Sequence, residues 1–341
     1  MKLFLAKTFF KSGDVEYNYK KIIEVYDEAV AKNCGILVFT ELALTGYISE
    51  YPSKEIIKKN DDFLEKITNY TKDKKTQIML GCLQYSEAYK DEDGVNRPEK
   101  LFNSCVIIAN GYIQANTSMT NISKNNIFNS HKFFDKEITL RELKYESDQY
   151  NILLSDDIME SKNILFIKER DSEFTFCFDT SIEPPIKQLK KIASWTRKGL
   201  IYMNAFSYNH GKKFNGEIII LNGVGEVLYQ NLSIAEDIVA VSVGYVIGVC
   251  EIFIDTPKKK KSDNFANVIA RNEPNKKIIY EVKRKQNFKF EKNVKVISFK
   301  DIEGVEYIDY KKYINLNVKL NDDIKKIIID GIYKNCIYLK E

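Results

Sequence analysis

Apolar positions in the first 250 residues alternate between short continuous runs and stretches with a helical repeat. Leu3 to Phe10 predicts a strand ended by Gly13-Asp14, and Asn18 to Lys32 carries Ile22, Val25, Tyr26, Ala29 and Val30 at helical spacing, with Asn33 and Gly35 as stop signals. Ile36-Leu37-Val38-Phe39 is an unbroken apolar run, the mark of a strand covered on both faces, and it delivers Glu41 to the strand's C-terminal end. Ser53 to Lys72 predicts an amphipathic helix and Gln77 to Leu83 a strand. After a polar loop from Glu87 to Lys100, Phe102 to Ala109 and Tyr112 to Ser118 flank Asn110-Gly111, a strong hairpin signal.

No period holds from Met119 to Phe134, a loop carrying Lys124, Asn129, His131 and Phe133, and long loops inside compact domains tend to be functional. Asn163 to Ile167 predicts a strand, and the Asp171-Ser172 turn leads into a second one, Phe174 to Phe178. Pro184-Pro185 then makes a turn, with Pro185 as the first position of a helix to Arg197 closed by Gly199, and Leu200 to Asn204 follows as a buried strand. Cys177 thus sits at the corner of a βαβ unit, where side chains at strand ends meet the crevice that α/β proteins use for chemistry. Such a cysteine is either a nucleophile or one more small buried hydrophobe. Glu217 to Leu221, Glu226 to Gln230 and Ile238 to Val243 complete the strands.

From Pro257 the pattern breaks into a Lys258–Lys261 run and Lys/Asn-rich sequence, which divides the chain into a 1–256 domain and a 257–341 extension. That change is also electrostatic. The net charge of +4 conceals 21 Lys/Arg against 14 Asp/Glu in residues 251–341, so the basic excess belongs to the C-terminal quarter. Its lysine run is read as a solvated linker, and aromatics are not interleaved with basic residues as base stacking requires, so no nucleic acid is expected.

Six cysteines at 34, 82, 105, 177, 250 and 336 form no CxxC pair, which argues against a zinc site or a disulfide framework and for a reducing, cytoplasmic setting. With only His131 and His210, acid–base work falls to carboxylates and lysines. No run of 18 apolar residues exists, so no membrane span is expected. A glutamate in the apolar surroundings of Glu41 would have a raised pKa and could act as acid or base near neutrality; the alternative is a capping or ion-paired surface residue.

Taken together these motifs resemble the nitrilase superfamily of carbon–nitrogen hydrolases, over about residues 1–245. They are most similar to the glutaminase domains of glutamine-dependent NAD synthetases. Glu41-Leu42-Ala43-Leu44-Thr45-Gly46-Tyr47 resembles the family's glutamate motif, and Leu101-Phe102-Asn103-Ser104 with Asn110-Gly111 its central hairpin. Lys124, with Ile127, Asn129 and Phe133 in step, keeps the spacing of the lysine motif. Phe176-Cys177-Phe178-Asp179 resembles the cysteine motif, and Asn204-Ala205 with Tyr208 and Gly211-Lys212 the segment after it.

The resemblance implies a four-layer αββα sandwich and a Glu41–Lys124–Cys177 triad that splits a small amide through a thioester, releasing ammonia. Glu41 would move protons and Lys124 would stabilise the oxyanion. Tyr47, Phe133, Phe178, Asn204 and Phe206 would line the substrate pocket, with no metal or organic cofactor. Homo-oligomerisation is implied too, and a separate ammonia-accepting synthetase as partner, because no Ser-Gly-Gly-type pyrophosphate loop exists in this chain.

Several positions depart from the family pattern. Phe178 stands where the glutaminase domains carry a glutamate, Phe206 where they have serine before proline, and Thr40 replaces the proline before Glu41. Phe128 and Ser130 replace the proline and tyrosine of the lysine loop. These changes remove groups expected near a glutamine head group and leave a second reading, a catalytically idle subunit acting in binding or assembly.

Overall fold

A computed structural model describes the chain except residues 1, 91–95, 125–129, 146–147, 173, 210, 232, 247–248, 256–263, 284–288, 301, 303–304, 309–319, 334–335 and 341. For residues 97, 144–145, 148, 243–246, 249–253, 255 and 323–324 it describes the backbone alone. Ile127, Phe128 and Asn129 of the lysine motif, His210 and the Lys258–Lys261 run therefore lie outside the described residues. Contacts divide the chain into two units, Met1–Leu232 with Glu236–Lys260, and Ser233–Ala235 with Lys261–Glu341.

In the first unit the chain runs β1 (Lys2–Lys7), α1 (Val15–Ala31), β2 (Ile36–Val38), α2 (Lys54–Tyr70), β3 (Gln77–Ser86), a ribbon of β4 (Tyr89–Lys90) and β5 (Asn96–Arg97), then the hairpin β6 (Lys100–Ala109) and β7 (Tyr112–Ser118). It continues through β8 (Leu143–Tyr145), β9 (Asp148–Leu154), α3 (Ser161–Lys168), β10 (Phe174–Asp179), α4 (Ile186–Thr196) and β11 (Gly199–Asn204). A second ribbon, β12 (Phe206–Asn209) and β13 (Lys212–Asn215), precedes β14 (Ile218–Leu221), β15 (Val227–Asn231), β16 (Asp237–Val246) and β17 (Val249–Asp255).

Local chemistry accounts for the boundaries. Asp14 caps α1 by accepting from the Tyr17 amide at 3.1 Å, and Ser53 caps α2 through the Ile56 amide at 3.3 Å. Asn110 and Gly111 take φ values of 49° and 82°, the left-handed pair that a two-residue hairpin needs.

Two sheets result, ordered β17-β16-β1-β2-β3-β6-β7 and β15-β14-β11-β10-β9-β8. Alternate side chains of β1, β2, β3 and β6 (Leu3, Leu5, Ile36, Val38, Met79, Ile107) pack against Ile152, Leu154, Phe176, Phe178, Ile201 and Ile218 of the other sheet. The opposite face of the first sheet holds Phe4, Leu37, Ile78 and Val106 against Ile22, Tyr26, Leu64 and Ile67 of α1 and α2. The outer face of the second sheet packs Leu153, Leu200 and Ile219 against Ile164, Ile167, Leu189 and Ile192 of α3 and α4. The layers are α, β, β, α, the sandwich expected from the resemblance.

One segment differs from the sequence reading. Residues 163–167 form part of α3, and the strand beside β10 is β9, paired parallel with it (Cys177 opposite Leu153, Phe178 opposite Leu154). Burial explains the difference: Asn163, Ile164 and Ile167 are inside while Leu165 is 48% exposed, a helical period that the short apolar run conceals.

The second unit holds more regular structure than its Lys/Asn-rich sequence suggests. Strands β18 (Lys277–Glu281), β19 (Val294–Ser298), β20 (Glu306–Tyr307) and β21 (Cys336–Lys340) form a parallel sheet ordered β20-β19-β18-β21, accompanied by α5 (Phe265–Asn272) and α6 (Asp322–Ile332). At the C-terminal end of β18 the buried Glu281 pairs with Lys325 and accepts from the Tyr338 hydroxyl. Among the described residues no helix is long and apolar enough to cross a membrane.

Candidate active site

The site is built where β2 ends. Thr40–Thr45 turns tightly there, with Leu42 at φ 48°, and the Leu44 amide donates to the Gly81 carbonyl at 3.3 Å. Gly81 on β3 is required by this approach, because a Cβ on it would lie 2.3 Å from the Glu41 Cα and 2.4 Å from the Leu42 nitrogen. The turn carries Glu41 to the end of the inter-sheet space, where it is 2% exposed.

There Glu41 meets hydroxyls and an amide. Ser155 Oγ donates to its Oε1 at 2.6 Å and Asn103 Nδ2 to its Oε2 at 3.3 Å, while the Thr180 hydroxyl also bonds to it. Ser155 and Thr180 oxygens are 3.5 Å apart. Tyr47 shares the network: its hydroxyl lies 2.6 Å from Ser130 Oγ and bonds to Thr180. Burial pushes the Glu41 carboxyl up to about 8, and the nearby Asp179 adds to the rise against the opposing hydrogen bonds. Asp179 is itself shifted up by burial; Ser181 Oγ and the Tyr202 hydroxyl donate to it at 2.5 and 2.9 Å.

Asp157 anchors the adjoining backbone. Its Oδ1 accepts from the Thr120 amide, the Thr120 hydroxyl and the Asn121 amide, each at 2.8 Å, and its Oδ2 accepts from the Leu154 amide at 3.2 Å. This carboxylate ties the start of the long loop to the end of β9 and so fixes Ser155.

The three residues of the expected triad are not brought together. Cys177 is fully buried on the outer face of the second sheet, in one cluster with Leu153, Tyr202, Leu189 and Ile192, beneath α3 and α4. Its neighbours Phe176 and Phe178 face the inter-sheet core, the side on which Glu41 meets Ser155. The physical reason is strand alternation: successive side chains point to opposite faces, and the odd positions of β10 face the helices. Burial, with Asp179 and Asp157 nearby, holds the Cys177 thiol far above its ordinary pKa, the reverse of an activated nucleophile. Lys124 is exposed.

Of the expected pocket residues, Tyr47 and Phe133 share an apolar cluster with Phe134, Leu101 and Ala205. Phe178 is core, with its ring 5.9 Å from that of Phe176. Asn204 donates to the Ser181 carbonyl at 2.8 Å and its buried Oδ1 has no partner among the described groups. Phe206 packs edge-on against Phe9, with the Lys7 ammonium 5.2 Å from its ring centroid. Lys7, 3% exposed, is lowered to about 8 by burial, opposed by Glu217 and Asp237.

Sequence reasoning missed Ser155. A signal existed: Ser155-Asp156-Asp157 places an acid directly after the hydroxyl, where the glutaminase pattern has glutamate and where Cys177 is followed by phenylalanine. Among the described residues no group of three His, Cys, Asp or Glu side chains is placed to hold a metal ion.

Residues 5–154 match the carbon–nitrogen hydrolase family model. The glutamine-dependent NAD(+) synthetase of Acinetobacter baylyi is 20% identical over 245 residues, covering 70% of this chain and 43% of that protein. The Thermotoga maritima synthetase of the same name is 23% identical over 160 residues, 46% of this chain and 26% of its own length. The chain thus spans less than half the length of the curated relatives it matches. Among solved structures, the Acinetobacter baumannii glutamine-dependent NAD+ synthetase in complex with ADP superposes with a TM-score of 0.70 at 14% identity, over 98% of this chain and 73% of that one. A mutant of an amidase from the nitrilase superfamily, from Nesterenkonia, gives 0.59 at 14% identity, over 70% of this chain and 89% of that one. The chain thus matches the carbon–nitrogen hydrolase family model over residues 5–154, and it shares the fold of the nitrilase-superfamily amidase.

Proposed function

We propose that the chain hydrolyses the C–N bond of a small amide at the end of the inter-sheet space, with Glu41 carrying the protons. The observation that carries this reading is Glu41 itself: buried, raised to about 8, and bonded by Ser155 at 2.6 Å. A carboxyl poised near neutrality can take a proton from an attacking group and return it to a leaving amine. The carbon–nitrogen hydrolase match and the amidase neighbour support amide chemistry. The curated relatives are glutamine-dependent synthetases, so the released ammonia would pass to a synthetase; a cytoplasmic, homo-oligomeric enzyme without a cofactor completes the proposal.

The test is ammonia release from a panel of small primary amides. Turnover should rise with pH up to about 8, because Glu41 acts as base only when ionised and its raised pKa keeps it neutral below that. Glu41→Gln should lower the rate by about 100-fold to 10,000-fold. If no amide gives Glu41-dependent ammonia, the reading fails and the second one stands, an idle subunit acting in binding or assembly. That second reading is favoured by the exposed Lys124 and by the placement of Cys177 beneath the helices.

A further inference from the structure

We infer that Ser155 is the nucleophile of this site and that the substrate it accepts is a primary carboxamide. The inference rests on the amide-hydrolase reading above and replaces the cysteine expected from the resemblance by an oxygen nucleophile.

Ser155 directly follows β9 and begins the short 3-10 turn Ser155–Met159. Its φ of 44° lies in the left-handed region, which strains a non-glycine residue and persists only where the surroundings enforce it. The enforcement comes from Asp157, which holds the Leu154 amide on one side and the Thr120 and Asn121 amides on the other. A strained residue at a strand-to-helix turn, with its hydroxyl aimed at a buried base, is the arrangement by which serine nucleophiles are presented. Ser155 is 4% exposed, and the bond of its hydroxyl to Glu41 is the contact a general base must make before it can remove the proton.

The substrate class follows from what remains unsatisfied. Asn103 is 1% exposed; its Nδ2 faces Glu41, and its Oδ1 has no partner among the described groups. A buried acceptor in that state favours a ligand that brings an N–H, which a primary carboxamide does and an ester does not.

Each step balances. Ser155 Oγ bonds to the carbonyl carbon as the C=O π pair moves onto the carbonyl oxygen, while the serine proton passes to ionised Glu41; return of that pair expels the nitrogen. The C–N bond then breaks, Glu41 returns the proton to nitrogen, and ammonia leaves an ester on Ser155. Water attacks that ester and gives a proton to Glu41. The C–O bond to Ser155 breaks, Oγ regains the proton from Glu41, and the free acid departs.

The test acylates the protein with p-nitrophenyl acetate, maps the adduct by peptide mass spectrometry, and measures ammonia from small amides in parallel. The acetyl group should lie on Ser155, form at least about tenfold more slowly in Glu41→Gln, and be absent from folded Ser155→Ala. Ser155→Cys, which keeps the geometry, should react with chloroacetamide at least about tenfold faster than any of the six native cysteines. Wild-type acylation of other residues only, or Ser155→Ala that turns over amide at the wild-type rate, overturns the inference while leaving the Glu41 reading intact. Acylation of Ser155 without any Glu41-dependent ammonia would instead sink the amide reading and keep the nucleophile.

Discussion

Glu41→Gln is expected to stabilise the fold at pH 8 by on the order of 5 kcal/mol and to change it by less than about 1 kcal/mol near pH 4.5. The carboxyl titrates at about 8 in the folded chain against 4.5 as its ordinary value. Between those values the native state holds a proton that the unfolded state has released, so stability falls as pH rises, at about 1.4 kcal/mol per pH unit. That loss is complete above about pH 8 and absent below the unfolded value. Glutamine carries no such proton and still offers an oxygen to Ser155. Urea midpoints of the two proteins measured at several pH values should diverge steadily from pH 5 upward. Parallel curves would mean that Glu41 is ionised in the fold and that its burial is less complete than the geometry indicates.

Asp157→Ala should cost about 3–5 kcal/mol, because it strands the donors that this carboxylate holds in a buried setting. The Thr120, Asn121 and Leu154 amides and the Thr120 hydroxyl all lose their acceptor, and Asn163 Nδ2 loses one at 3.4 Å. Burial has already pushed the Asp157 carboxyl up to about 6, so protonation below that value should weaken the same bonds. Asp157→Asn keeps one acceptor oxygen and should recover part of the loss. Equilibrium unfolding reads both variants; a cost under about 1 kcal/mol for alanine would show that the loop and the β9 end are held by other contacts.

Much of the architecture is legible in the sequence because it is written in periodicity. The continuous run Ile36–Phe39, the helical spacing through Ala29 and the Asn110-Gly111 turn each admit one local solution, and all three stand in the fold. Glu41 is legible for a related reason: an acid that closes an unbroken apolar strand and enters an apolar loop has little access to water.

The meeting of Ser155 with Glu41 is hidden from the sequence by two ambiguities. In β10 both faces are apolar, so hydrophobicity does not reveal whether Cys177 or its neighbours Phe176 and Phe178 face the second sheet's helices. Reading Asn163 to Ile167 as the strand before the cysteine also obscures the true neighbour, β9 (Asp148–Leu154), and with it the turn that carries Ser155. Cys177 therefore lies one βαβ step beyond Ser155, the residue that meets Glu41. Lys124 illustrates a further limit, since spacing within a loop of no period says nothing about burial. The parallel sheet of the second unit was obscured in turn by short strands set among lysines, where charge masks the apolar core of Ile279, Ile297 and Ile329.

Ammonia release by Cys177→Ala and by Glu41→Gln, side by side on one primary amide and with both folds verified by circular dichroism, tests most directly where the chemistry sits. Chemistry between the sheets predicts that Cys177→Ala keeps wild-type turnover within about threefold while Glu41→Gln loses at least about 100-fold. Loss of turnover in Cys177→Ala, with Glu41→Gln still active, would place the reaction beneath the helices and contradict the account.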